Sequence, residues 1–205
     1  MQPIPEKEHP YASRGGLKLE AAIKAFGLGP AGQTCADLGC STGGFVSCWL
    51  HFGAAKVFAV DTAYGELAWT LRKDPRVVVM ERKNALHTAP HPDAAAAGGV
   101  DFVSLDLGWT KQDKALPAAL AWLKPGGLIV TLVKPHYEKP VEVSTKRWAK
   151  KEVVTLTDDE AAAITRDCLD RVLPALGLVE IGCIPCPIKG AKGGNLEFLA
   201  LVRRA

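Results

Sequence analysis

No uncharged apolar run in this chain approaches the length needed to cross a bilayer, so a spanning helix is excluded. The first residues, Met1-Gln2-Pro3-Ile4-Pro5-Glu6-Lys7-Glu8, lack the apolar stretch of a secretory signal, and a cytoplasmic protein is expected. No Gly-Lys-Ser or Gly-Lys-Thr triplet occurs, which excludes a phosphate-cradling P-loop. Excess charge is also scarce. The 25 basic and 22 acidic residues leave a formal charge of +3, too little to imply nucleic acid unless the charges cluster. There is no internal repeat and no heptad pattern. A second pair of metal-ligand cysteines is missing as well. Cys183-Ile-Pro-Cys186 stands alone and ends a strand-like run, so neither zinc nor a redox pair is expected there, and no metal is expected elsewhere. Several of the other cysteines, Cys35, Cys40, Cys48 and Cys168, fall inside apolar patterns and read as reduced, buried thiols.

What remains is a chain of 205 residues, 48% hydrophobic, long enough for one well-filled domain. Residues 1–14, with Pro3, Pro5 and Pro10, read as an arm, and residues 15–205 as the domain. Gly15 to Phe26 is predicted helical and closed by Gly27. Strands are predicted at Thr34–Leu38, Val57–Val60, Arg76–Met80, Val100–Leu105 and Gly127–Val133, with helices at Phe45–Leu50, Glu66–Arg72 and Asp113–Leu123 between them. His87 to Gly99 reads as a loop or weak helix. His136 to Leu156 is polar and offers no core element. Thr157-Asp158-Asp159-Glu160 spells a capping box for a helix with Ile164, Cys168, Val172 and Leu176 on one face and Gly177 beyond its end. Two closing strands follow, Leu178–Ile184 and Leu196–Val202. The alternation demands a doubly wound, mostly parallel sheet, with at least one strand of the final hairpin antiparallel.

The most informative stretch is Asp37-Leu38-Gly39-Cys40-Ser41-Thr42-Gly43-Gly44-Phe45, a glycine turn between the first strand and a helix. An acid, Asp61, ends the next strand. This is the layout of a nucleotide-type site, in which the acid takes both hydroxyls of a ribose. Its spelling, Gly39 then Gly43-Gly44, departs from the dinucleotide fingerprint, and Asp37 crowds the place of a pyrophosphate. S-adenosylmethionine carries a sulfonium and an ammonium but no phosphate, and suits a loop that opens with a carboxylate. The plainer alternative is an ordinary strand-to-helix turn.

Ligands of such sheets bind outside the carboxyl ends of the strands. The glycine turn, Asp61, Asp106 and Lys134 all fall there. Lys134 ends a buried strand and is followed by Pro135. It is read either as half of a structural ion pair with Asp106 or as a proton acceptor, partial burial and a neighbouring lysine favouring the neutral amine that a general base needs. Lys18 and Glu197 lie in unusual settings, but neither is persuasive alone, since a glutamate on a final strand can simply face solvent.

With these residues on the page, the chain resembles the FtsJ-like ribose 2′-O-methyltransferases, and within them the haemolysin-type (TlyA-like) ribosomal RNA methyltransferases. The matching stretches are Tyr11-Ala12-Ser13-Arg14-Gly15-Gly16-Leu17-Lys18-Leu19, the glycine turn, Val60-Asp61, Leu71-Arg72-Lys73-Asp74-Pro75-Arg76-Val77, Lys134-Pro135-His136-Tyr137-Glu138 and Gly194-Asn195-Leu196-Glu197-Phe198. The resemblance implies a Rossmann-like class I methyltransferase fold and a catalytic tetrad of Lys18, Asp106, Lys134 and Glu197. Lys134 would face the ribose 2′-hydroxyl. It also implies S-adenosylmethionine contacts at Asp37, Gly39, Ser41, Gly43, Gly44, Phe45, Asp61, Asn84 and Asp106. Two departures stand out. The haemolysin-type branch usually carries an S4 RNA-binding domain, which these residues lack. Leu107-Gly108-Trp109-Thr110 also differs from the Ser-Phe-Ile-Ser pattern of the family.

RNA, and ribosomal RNA in particular, is the expected partner. Lys139, Lys146, Arg147, Lys150 and Lys151 follow the fifth strand and could grip phosphates, aided by Arg14, Lys189 and Lys192, or could be an ordinary solvated loop. Trp109 and Tyr137 could stack on a displaced base or pack a rim. Two rivals remain: a small-molecule methyltransferase, and a non-catalytic RNA-binding protein of the haemolysin-like group. A membrane-lytic role is disfavoured by the lack of an amphipathic or spanning segment.

Overall fold

The structure, a computed structural model, describes residues 9–138, 155–190 and 194–205. Its centre is a seven-stranded sheet of β1 (Thr34–Leu38), β2 (Lys56–Val60), β3 (Val77–Met80), β4 (Val100–Leu105), β5 (Leu123–Val133), β6 (Leu178–Pro185) and β7 (Phe198–Arg204), in the order β3-β2-β1-β4-β5-β7-β6. β7 pairs antiparallel with both β5 and β6, and every other pairing is parallel. The chain winds outward through β1, β2 and β3, then restarts on the other side of β1 with β4. The crevice of such a sheet opens where that order reverses, at the carboxyl ends of β1 and β4.

Strand alternation fills a core on each face. On one face Cys35, Val57 and Ala59 pack with Leu19, Ile23 and Trp49 from α1 (Gly15–Phe26) and α2 (Gly44–His51). On the other, Ala36, Leu38, Phe58 and Val60 pack with Leu116 and Trp122 of α5 (Gln112–Trp122) and Leu169 and Val172 of α7 (Asp158–Ala175). Fully burying side chains of this size contributes about 1.5–3 kcal/mol each, which is why the period-two pattern fixes the register. The capping box of α7 is formed as spelled, with Thr157 Oγ1 accepting from Glu160 N–H and Glu160 Oε2 accepting from Thr157 N–H.

Several local expectations need correction. The predicted helix from Glu66 shrinks to α3 (Trp69–Arg72), because Ala68 is extended and Leu67 turns into the core. Within His87–Gly99, α4 (Pro92–Ala96) forms, started by Pro92 and by His91 Nδ1, which accepts from Asp93 N–H. β5 begins at Leu123, four residues early, pairing with Val100 across an irregularity in the ladder. The segment after Lys134 also supplies core after all. It opens as α6 (Pro135–Glu138) with Pro135 and Glu138 buried, and Leu156 is buried near its far end. Residues 9–14 pack onto the body of the fold, where Tyr11 is buried and meets His51 edge-on.

Candidate active site

Gly39 follows the last residue of β1, and Asp106 the last residue of β4. The two strands run side by side with Leu38 opposite Leu105. Asp106 N–H donates to Leu38 O at 3.2 Å, so the two loops leave the sheet in contact. Gly39 has φ +93°, and a Cβ there would lie 2.6 Å from Asp106 O. Only glycine satisfies both the dihedral and the approach.

Three adjoining cavities of about 280, 410 and 470 Å³ radiate from this point, and Gly39, Ser41 and Asp106 border all three. The smallest lies over the glycine turn, with Asp37, Gly44 and Phe45 on its wall and Arg14 and Lys189 also lining it. Gly43, at φ +96°, is the residue before α2 and lines none of these three cavities. The 410 Å³ cavity runs past Asp61, Lys83 and Asn84. Asp61 accepts from Ser41 N–H and Ala63 N–H, both at 2.8 Å. Thr62 Oγ1 also donates to it, at 3.5 Å, so of a carboxylate's about four acceptor positions one stays open for a further hydroxyl. Ser41 sits at φ +47°, backbone strain of the kind found at ligand loops.

The 470 Å³ cavity brings together Lys18, Asp106, Lys134 and Glu197, together with Trp109, His136 and Tyr137. Lys134 Nζ donates to Asp106 Oδ1 at 2.5 Å and to Leu107 O at 3.1 Å. Lys18 Nζ donates to Glu197 Oε2 at 2.5 Å, and both side chains are nearly excluded from water. Burial opposes the Lys18 ammonium, but Asp106 and Glu197 more than offset that and hold its pKa above the ordinary lysine value. Glu197 lies one residue before β7 and is 4% exposed, not solvent-facing. Gly190 approaches its carboxylate so closely that a Cβ would lie 2.6 Å from Oε1.

Asp37 presents a different kind of charge. It is 1% exposed; Oδ1 accepts from Ser104 Oγ at 2.7 Å, and Oδ2 has no hydrogen-bond partner. Burial, only partly opposed by Ser104 and reinforced by Asp106 and Asp61, pushes its pKa up to about 7. Between 3.8 and about 7 the native state therefore keeps a proton that the unfolded chain has released, and stability falls as pH rises across that window. Asp37→Asn is expected to remove this slope. The difference in Tm between the variant and the parent should widen as pH rises from about 4 to 7, in favour of the variant. A constant difference would mean that Asp37 does not titrate there.

Sequence reasoning missed some of this site. His136 enters the tetrad cavity with Nδ1 buried and unpartnered, and burial lowers its pKa. Behind Lys134, Glu138 Oε1 accepts from Gln112 N–H, Gln112 Nε2 donates to Leu132 O, and Thr131 Oγ1 donates to Gln112 Oε1. Its one sequence signal was Thr131, a hydroxyl inside the apolar run Leu128–Val133; Gln112 and Glu138 sit in polar stretches and gave none. Of the proposed RNA contacts, Arg14 and Lys189 border the smallest cavity, Lys189 pairing with Asp158. Lys139, Lys146, Arg147, Lys150, Lys151 and Lys192 lie outside the described residues. Among the described residues no His, Cys, Asp and Glu group could hold a metal, and no helix is long and apolar enough to cross a membrane.

A doubly wound sheet with one reversed strand, crowned by a glycine turn and an acid at the end of β2, defines a Rossmann-like class I methyltransferase. A solved structure from Listeria monocytogenes, described as an S-adenosylmethionine-dependent methyltransferase, shares the fold, with a TM-score of 0.60 at 19% identity over 93% of this chain and 98% of that one. The chain belongs to the FtsJ-like methyltransferase family, whose model matches residues 11–203. It is 38% identical over 200 residues to the 16S/23S rRNA (cytidine-2′-O)-methyltransferase TlyA of Mycobacterium tuberculosis, covering 98% of this chain and 71% of the relative. A solved structure described as a hemolysin from Streptococcus thermophilus superposes with a TM-score of 0.84 at 33% identity, covering 97% of this chain and 69% of that one.

Proposed function

We propose that this protein transfers a methyl group from S-adenosylmethionine to the 2′-hydroxyl of a ribose in ribosomal RNA. The observation that carries this reading is the single cavity in which two lysines and two carboxylates, from four separate stretches of chain, face one another. The activity named for the mycobacterial relative supports ribosomal RNA as the substrate class.

The residues present fit the cofactor. A buried carboxylate with an unpartnered oxygen is costly unless a cation answers it, and Asp37 is such a group. Asp37, Gly39, Ser41, Gly44 and Phe45 would hold the amino-acid end, Gly43 shaping the turn, and Asp61 and Asn84 the nucleoside end. When bound, the cofactor supplies an electrophilic methyl group on its sulfonium sulfur. The remaining work belongs to the chain. Lys134 has spent two of its three donors on Asp106 and Leu107, leaving one to hold the ribose oxygen. In its neutral form it accepts the hydroxyl proton, Asp106 steadying the charge that results. Lys18 and Glu197, locked to each other, fix the opposite wall and the field across the cavity. Alignment of the hydroxyl with the methyl group supplies much of the acceleration.

Purified ribosomal subunits incubated with the protein and methyl-labelled cofactor test the reading. Label should enter RNA and make one phosphodiester resistant to alkali. Turnover of small molecules with unlabelled RNA would instead favour the small-molecule rival.

Asp37→Asn gives a second check. The variant that gains stability at neutral pH should lose affinity for S-adenosylmethionine, by about tenfold or more if a buried charge contact worth 1.4 kcal/mol or above is removed. Calorimetric titration measures it, and undiminished affinity would detach Asp37 from cofactor binding.

A further inference from the structure

Among the described residues, three large aromatic side chains are strongly exposed: Tyr64 at 69%, Trp69 at 67% and Trp109 at 74%. All three follow the carboxyl ends of strands, on the rim that holds the cavities. Trp109 lines the tetrad cavity itself. Tyr64 and Trp69 line none of the three cavities described above, and the methyl-transfer chemistry does not use them. Each carries a cation over its ring. The Arg82 guanidinium carbon lies 4.2 Å from the Tyr64 ring centre, and Lys73 Nζ lies 4.8 Å from that of Trp69.

This rim is fastened in place. Ala68 N–H donates to Thr42 O in the glycine turn, and Arg82 N–H to Ala63 O. Glu81 accepts from Gly65 N–H and from Arg72, whose Nε also donates to Leu67 O. Arg82 adopts φ +54° to reach its position over Tyr64. Its charges are sorted as well. Arg72 and Arg76 are neutralised by Glu81 and Asp74, whereas Lys73, Arg82 and Lys83 make no ion pair with any of the described residues. Lys83 lines the 410 Å³ cavity, so the unpaired cations run from the site outward along the rim.

Exposed rings beside unpaired cations suit a chain of stacked bases on a phosphate backbone. The surplus positive charge on the rim calls for an anionic partner, which a phosphate backbone supplies along its whole length. We propose that the rim formed by Tyr64, Trp69, Lys73, Arg82 and Lys83 is a docking surface for single-stranded RNA flanking the modified nucleotide, a proposal that rests on the RNA methyltransferase reading. The rings take bases and the cations take phosphates. This surface lies on the cofactor side of the site, beyond the carboxyl ends of β2 and β3.

The test compares three proteins for binding of a fluorescein-labelled single-stranded RNA of mixed sequence across a salt series: the unaltered chain, Tyr64→Ala/Trp69→Ala and Lys73→Gln/Arg82→Gln. The aromatic pair should weaken Kd by about tenfold or more with the salt slope unchanged. The cationic pair should flatten the slope by about 1.4, two phosphate contacts at about 0.7 each. All three should keep the same Tm and the same affinity for S-adenosylmethionine, and Tyr64→Phe/Trp69→Phe should retain RNA binding. Aromatic variants that bind RNA as the unaltered chain does would overturn the surface while leaving the enzyme reading intact. So would variants that bind RNA normally but associate poorly with intact ribosomal subunits, which would mark a protein contact. Absence of RNA methylation by the unaltered chain would strike the enzyme reading instead.

Discussion

Replacing Lys134 with alanine should abolish methyl transfer, by about 10²- to 10⁴-fold from the lost proton acceptor alone, while S-adenosylmethionine still binds. Lys134 borders the tetrad cavity but neither of the other two, so its removal leaves the glycine-turn and Asp61 compartments intact. It does leave Asp106 without its cation. Lys134→Arg separates charge from chemistry. It keeps a partner for Asp106, yet a guanidinium cannot give up a proton near neutral pH. Both variants should therefore be inactive, with only the alanine variant losing stability. Single-turnover transfer to ribosomal subunits and calorimetric cofactor titration decide the matter. Joint loss of transfer and cofactor binding in both variants would contradict the assignment.

The second large effect concerns the other lysine. Lys18→Met should destabilise the fold by about 3–5 kcal/mol, because Glu197 would remain buried without its countercharge. The sign with pH is set by the raised Lys18 pKa. The pair's contribution is fully present at neutral pH and is lost only as pH climbs above 10.5. The double variant Lys18→Met/Glu197→Leu should regain most of that stability and none of the activity. Urea unfolding of the two singles and the double measures the coupling. If the double variant were no more stable than the singles, the buried charge would not be the cause.

Much of the fold was legible because it follows from local rules. Gly15–Phe26 and Thr34–Leu38 were readable to the residue, one from its glycine stop and the other from five residues of β pattern before a turn. The capping box at Thr157 was readable for the same reason. Short elements without a period escaped. α6 is a single turn after a proline, and α3 loses its first three predicted residues to the burial of Leu67. At the site, the strand-end rule drew attention to Asp61, Asp106 and Lys134, but Lys18 and Glu197 came only from resemblance. They are 179 residues apart, and no local pattern joins them. Glu197 precedes its strand, where alternation cannot say which way a side chain turns. The unpartnered oxygen of Asp37 and the buried Nδ1 of His136 depend wholly on tertiary packing.

Asp106 borders the compartments proposed for cofactor and for substrate, and holds Lys134 with the same carboxylate. A group shared in this way can couple the two occupancies, and any such coupling is reciprocal: whatever factor a loaded cofactor imposes on RNA affinity, bound RNA must impose on the cofactor. The order in which the two partners arrive can then set the rate of assembly without altering the stability of the ternary complex.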